Sequence, residues 1–175
     1  LALSSRVDTR DRFVFPSRGS RFNIKLEFAF DLLWGEESYQ KGEVSWKGYY
    51  SLTNFMHLMP ALRLSISANP LPPSEKFYMG GSRTLYGFRQ FELQGDKLFN
   101  GNLGLRFKLP YRFYVSSRFD LGNVWINWDE VRIDDLLHGY GLMISYDSYL
   151  GPLSISYGRN NLGHDRFYLN LGYDF

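Results

Sequence analysis

The stretch "DRFYLNLGYDF" at the end of the chain alternates without interruption. Phe167, Leu169, Leu171, Tyr173 and Phe175 fall on one side; Tyr168, Asn170, Gly172 and Asp174 fall on the other. A period of two belongs to a strand, whose successive side chains point to opposite faces. The pattern recurs upstream. In "RFNIKLEFAFDLL" the residues Phe22, Ile24, Leu26, Phe28, Phe30 and Leu32 oppose Asn23, Lys25, Glu27 and Asp31. "GNLGLRFKL" sets Leu103, Leu105, Phe107 and Leu109 against Asn102, Arg106 and Lys108, and "RFYVSSRFDLGNVW" sets Phe113, Val115, Phe119 and Leu121 against Arg112, Tyr114, Arg118 and Asp120. "PLSISYG" places Leu153, Ile155 and Tyr157 against Ser154 and Ser156. The alternation predicts eight full strands, at about 20–33, 38–52, 60–69, 98–109, 111–127, 136–148, 151–159 and 165–175, after a short lead-in strand at about 1–10.

Two architectures alternate in this way: a soluble sandwich and a membrane barrel. Aromatic residues make up 18% of the chain, yet 22% is charged, and no apolar run is long enough for a membrane helix. A barrel reconciles these features, because its strands show lipid an apolar residue only at every second position. The polar faces carry Lys25, Glu27, Arg63, Arg106, Arg118 and Asp120, and Trp34, Tyr49, Tyr50, Tyr111, Trp125 and Trp128 sit near strand ends, as interfacial girdles do. Short connections ("FPSRG", "LPY", "LGP") alternate with longer ones ("WGEES", Asn69–Lys97, "NWDEVRIDD", "NNLGHD"); in outer-membrane barrels the short side is periplasmic. The expectation is an all-β, antiparallel transmembrane β-barrel, with residues 1–175 as one outer-membrane domain and a long inserted loop at about 70–97. No signal peptide precedes the first strand, so the sequence reads as a mature or cut-down chain of the bacterial outer membrane.

The order of motifs resembles the C-terminal half of the bacterial surface-antigen superfamily, which includes BamA, TamA, FhaC and the patatin-linked barrels. "DTRDRFVFPSRG" at Asp8–Gly19 is similar to its strand-and-turn motif, and "GGSRTLYGF" to its loop-six signature, GG…(V/L)RG(F/Y). "FDLGNVW" at Phe119–Trp125, "GPLSISYG" and the aromatic-terminated "FYLNLGYDF" resemble three of its later strands. The resemblance covers nearly the whole chain and implies that loop six folds into the lumen of a sixteen-stranded barrel. The implied latch residues are Gly80, Gly81, Arg83, Tyr86, Gly87, Phe88 and Arg89, with Arg106, Asp120 and Arg118 as wall partners. Phe167, Gly172, Tyr173 and Phe175 form the implied assembly signal and seam. The signature arginine is replaced by Tyr86, and Arg106 stands where relatives carry an acid. The expectation is therefore that Arg106 pairs with Asp120 across adjacent strands, with Tyr86 hydrogen-bonding nearby; Arg83 or Arg89 are alternative cations. Patatin-linked members tolerate such a loss, so the resemblance points to the patatin-linked or a short stand-alone branch.

Eight strands would leave an interior just wide enough for their own side chains, and a loop of this length would not fit as well. Either the loop stays outside a small barrel, or the chain is half of a sixteen-stranded barrel or one half of a homodimeric one, since open edges are not viable in lipid.

The net charge of +2 argues against a nucleic-acid surface, and the absence of cysteine excludes disulfides and thiolate metal sites. His57, His138 and His164 have no ligand spacing and read as interfacial or surface residues. "GGSRT" is not a nucleophile elbow, because Thr84 occupies the last glycine position; Glu36-Glu37 and Asp134-Asp135 read as solvated loop charge or a loose hold on a divalent cation, not as acid–base chemistry. No cofactor, metal or catalytic residue is expected. The resemblance implies insertion or translocation of polypeptides at the outer membrane, or alternatively a non-catalytic anchor or dimeric pore module holding a passenger. The partners implied are outer-membrane lipid and lipopolysaccharide, a client or passenger polypeptide, a second copy of the chain, and the barrel-assembly machinery.

Overall fold

A computed structural model describes residues 1–29, 38–149 and 151–172. Nine strands form one antiparallel sheet: β1 (Ala2–Asp8), β2 (Gly19–Ala29), β3 (Tyr39–Ser51), β4 (Met56–Ser67), β7 (Lys97–Lys108), β8 (Phe113–Trp125), β9 (Leu137–Ser148), β10 (Gly151–Asn160) and β11 (Asp165–Leu171). Each pairs with its neighbours in chain order, so β1 and β11 are the edges. The remaining strands, β5 (Phe77–Met79) and β6 (Leu93–Gly95), pair with each other inside the long connection between β4 and β7.

The burial of the sheet is inverted relative to a soluble protein. Leu62, Leu64, Ile66, Leu103, Phe119, Leu142, Ile144, Ile155, Phe167 and Leu169 are exposed, whereas Ser65, Asn100, Arg106, Ser116, Asp120, Ser145, Ser156 and Asn160 are buried. An apolar outer face around a polar interior is the arrangement of a barrel in lipid. The buried apolar cluster (Leu71, Phe77, Met79, Leu85, Phe88 and Leu98) is supplied almost wholly by the long connection, not by the sheet.

The predicted strands match the observed ones, with four differences. The lead-in is a full member of the sheet, paired with β2 from Ala2↔Glu27 to Asp8↔Arg21. β4 begins at Met56, ahead of Pro60. Pro60 has no N–H to donate, and the β3–β4 ladder skips from Lys47↔Ala61 to Tyr50↔Leu58, while pairing to β7 runs on through Pro60↔Leu103. β8 begins two residues late because Tyr111 and Arg112 take positive φ (58° and 65°) in the preceding turn. "FPSRG" is not a tight turn: residues 9–18 form a longer connection that folds inward, with Pro16 buried. Trp125 is buried too, not interfacial, while Tyr50, Tyr111 and Trp128 are exposed as a girdle requires. The expected end of β2 beyond Ala29, Trp34, Glu36-Glu37, Tyr173 and Phe175 lie outside the described residues.

Candidate functional site: the inward loop and its seat

Residues 68–96 lie against the polar face of the sheet. Within the tip, Leu85 N–H donates to Gly81 O (3.1 Å), and Gly80 N–H donates to Thr84 Oγ1 (2.8 Å). This tight turn presents Tyr86, Gly87 and Phe88 to the wall, each almost fully buried. Arg83 and Arg89 are exposed.

Tyr86 is the centre of the contact. Its backbone N–H donates to Asp120 Oδ2 at 2.9 Å, and its ring lies 4.4 Å from the Arg118 guanidinium and 5.8 Å from the Tyr168 ring. On β9 and β10 the ring meets two glycines. A Cβ on Gly141 would come within 2.6 Å of Tyr86 Cδ2, and one on Gly158 within 2.4 Å of Cδ1. A strand glycine often marks such a close approach, and here two adjacent strands supply the opening. Gly87 fits as closely: it has φ +84° and a Cβ there would stand 2.3 Å from Asn160 N, so a side chain is excluded by both conformation and space. Asn160 Nδ2 donates to Gly87 O (3.1 Å), Gly87 N–H donates to the Tyr168 hydroxyl (2.9 Å), and that hydroxyl donates to Phe88 O (2.7 Å).

Asp120 is wholly buried and fully partnered. It accepts from Arg118 Nε (2.6 Å) and Nη2 (2.8 Å), from Asn102 Nδ2 (2.8 Å) and from Tyr86 N–H. Bidentate guanidinium and amide donors satisfy a carboxylate that would otherwise be costly to bury. Asn100 and Asn102 also donate to Thr84 O, each at 2.9 Å. The expected pairing of Arg106 with Asp120 is not what the geometry has. The cation on Asp120 is Arg118, two residues along the same strand, and Tyr86 contributes its backbone N–H.

Arg106 serves another element. It is 5% exposed, its Nη2 donates to Pro16 O, and its guanidinium lies over the rings of Phe15 (5.6 Å) and Tyr114 (5.8 Å), which stack at 4.0 Å. Ser51 Oγ donates to Ser17 O (3.0 Å) and bonds His57 Nδ1 (3.1 Å), so His57 is a buried inward residue and not an interfacial one. Asp11 Oδ1 accepts from Ser17 N–H (2.8 Å) and Arg18 N–H (3.1 Å). Burial pushes the Asp11 carboxyl up, but these donors outweigh it and hold it below the ordinary range. The 9–18 connection thus plugs the short-turn rim as the long loop covers the other.

The base of the long loop is fastened to β2–β4 by charge. Lys41 binds Glu75 and lies 3.7 Å from Glu27, which also pairs with Lys25 (2.9 Å). Arg63 donates to Glu43 (2.6 Å) and, through Nη1, to Tyr78 O (3.3 Å). At the edge strand, Phe167 is exposed, and Gly172 N–H donates to Pro152 O (3.0 Å). Sequence reasoning passed over Asn100, Asn102, Asn160, Tyr168 and the glycine seat. Inward-facing glycines in "HGYGL" and "SYGRN" were the available signal.

An antiparallel sheet with lipid-type outer faces and a long loop seated on its polar inner wall defines an outer-membrane β-barrel protein. Across residues 1–175 the chain matches the Omp85 superfamily domain, and it belongs to that superfamily. It is 25% identical to the "Outer membrane protein assembly factor BamA" of Nitratidesulfovibrio vulgaris over 173 aligned positions, covering 86% of this chain and 21% of that protein. The crystal structure of BamA from Haemophilus ducreyi lacking POTRA domains 1-3 shares the fold, with TM-score 0.83 and 18% identity over 99% of this chain and 42% of that one. A shorter match, 28% identical over 78 positions, links 39% of the chain to 25% of the Staphylococcus aureus "Epimerase family protein MW0731". The chain spans about a fifth to a quarter of the curated relatives it matches.

Proposed function

We propose that this chain is the membrane-embedded part of an outer-membrane factor that inserts or translocates polypeptides, with residues 68–96 as a lumenal latch. The observation that carries the reading is the seat of Tyr86 on Gly141 and Gly158, closed by Asp120 and Arg118. A loop held this closely is a mechanical part, able to keep one arrangement of the strands. The assembly role named for the N. vulgaris relative supports it. The work is positional: no residue is assigned a catalytic role. Arg118 and Asp120 hold the latch, Arg106 holds the opposite plug, and β11 is the seam where further strands or a client pair.

The test is reconstitution of the protein into liposomes, with the rate at which an unfolded outer-membrane barrel folds into them as the readout. Acceleration over empty liposomes is expected, and cross-links from β11 to the client. Equal rates with no cross-link would sink this reading.

The two sheet edges favour a second reading. Edges in lipid must be paired, and this chain covers 42% of the H. ducreyi structure it matches. Two copies would then complete one barrel as a structural module. Light scattering corrected for detergent would give a protein mass near twice 20.5 kDa; a single-chain mass would remove the dimer.

A further inference from the structure

Between the loop tip and the 9–18 plug lies a cavity of about 240 Å³, walled by residues from β2 round to β11. That is far more room than a single water requires. Arg10, Arg21, Lys47, Arg83, Arg106 and Arg118 line it, and no Asp or Glu side chain does so among the described residues. Arg10 and Arg118 are each bound by a carboxylate behind the lining, Asp8 and Asp120. The wall around Lys25, Lys41 and Arg63 is different, because Glu27, Glu43 and Glu75 share it with them.

Two residues that line this cavity carry a buried donor with no partner in the protein, just behind the lining. Arg106 places Nη2 on Pro16 O, but its Nε bonds nothing, and Ser116 Oγ, on the residue directly opposite Arg106 in the β7–β8 register, bonds nothing either. Both residues line the cavity, and both are at least nine-tenths buried, at 5% and 4% exposure. An unmet buried donor is costly, and two beside each other under a single sign of charge are complementary to an oxyanion.

We propose that this lumenal cavity binds a phosphate-class anion, with Arg106 and Ser116, whose unmet donors lie just behind the lining, on its inner side and the surrounding arginines and Lys47 as its outer charge. The group would enter as free phosphate or pyrophosphate, or as a phosphorylated lipid headgroup. The proposal needs only the lumen, so it stands or falls apart from any handling of clients.

The experiment is calorimetric titration of the purified full chain in a neutral detergent, with pyrophosphate in one arm and a short-chain phosphatidic acid in the other. Saturable binding of pyrophosphate assigns the free ion; binding of the lipid alone assigns the headgroup. S116A removes a hydroxyl that holds nothing in the protein, so the fold should survive; the expected loss of affinity is about fivefold. R106Q should weaken binding by at least about tenfold. K25Q, on the charge-balanced wall, should change nothing. Absence of binding in both arms would overturn the proposal. So would a loss from K25Q equal to that from S116A, since it would mean diffuse charge and no site.

Discussion

The long loop is fastened to the inner wall twice, by different physics. Its base is tied to β2–β4 through the partly exposed Lys41–Glu75 ion pair and the Arg63 bond to Tyr78 O, beside wall pairs of Lys25 and Lys41 with Glu27 and of Arg63 with Glu43. Its tip is held on β7–β11 by shape: a ring on two glycines, a backbone amide on a buried carboxylate, and Asn160 and Tyr168 on backbone groups. Long charged side chains can follow a moving partner, and such exposed pairs contribute little each. A ring lying where a Cβ would otherwise stand has one position. The base therefore acts as a tether and the tip as a catch.

The largest effect should come from removing the carboxylate at the catch. Asp120→Ala leaves the Arg118 guanidinium and the Tyr86 N–H without their acceptor, and Asn102 Nδ2 with Thr84 O alone. A cost of about 3–5 kcal/mol is expected for breaking such a buried pair, read as a lower urea midpoint for loss of the folded electrophoretic band in detergent. A midpoint unchanged from wild type would mean that the tip is not a catch.

Gly158→Val tests shape alone, since it leaves every charge in place. The new Cβ would overlap Tyr86 Cδ1, and overpacking of this kind costs about 1–3 kcal/mol. The sharper readout is protease cleavage between Gly80 and Gln90, which should become rapid while the sheet stays folded. A loop still protected in this variant would show that the ring is not seated as described.

The two attachments also differ in how legible they were. Strand alternation is written at every second residue, so β2–β4 and β7–β11 could be placed, and with them the inward charges Lys25, Glu27, Arg63 and Asp120. The catch could not be assembled in the same way. Its parts come from Asn100, Asp120, Gly141, Gly158 and Tyr168, on five strands, and their meeting depends on register and on where the loop lands. Arg106 was misassigned for a related reason. Parity in a strand tells which face a side chain shares, but not its depth along the barrel axis; its partner Pro16 lay in a connection that read as a tight turn. β5 and β6, three residues each, are too short for any period to announce.

At the tether the expected effect is smaller. Glu75→Gln weakens the bond from Lys41 while Glu27 stays 3.7 Å from the same ammonium. Partly exposed pairs of this kind are worth up to about 1 kcal/mol, and the urea midpoint should shift accordingly in low salt and hardly at all in high salt. A loss matching that of Asp120→Ala would dissolve the distinction between tether and catch.

The smallest effect lies outside both attachments, in the connection between β8 and β9 on the same rim as the loop. Glu130 accepts from Asn127 Nδ2 (3.0 Å) and from the backbone N–H groups of Ile126 (3.1 Å) and Asn127 (3.2 Å), closing a capping box over a short 3-10 turn. The Asn127 side chain first, and then these two amides, hold the carboxyl below its ordinary value. A lowered value in the folded state means stabilisation that is complete above the unfolded carboxyl's range and is lost as pH falls through the folded one. Hydrogen-exchange protection of the Ile126 and Asn127 amides should therefore decline as pH falls below the range of an ordinary glutamate. Glu130→Gln should abolish that decline, because its amide does not titrate there. The catch should not loosen in step with this turn, since Tyr86 is held by its ring seat on Gly141 and Gly158 and shares no hydrogen bond with Glu130. If the tip amides lose protection in parallel with Ile126 and Asn127, and keep it in Glu130→Gln, the β8–β9 turn governs the loop and the tip is not an independent catch.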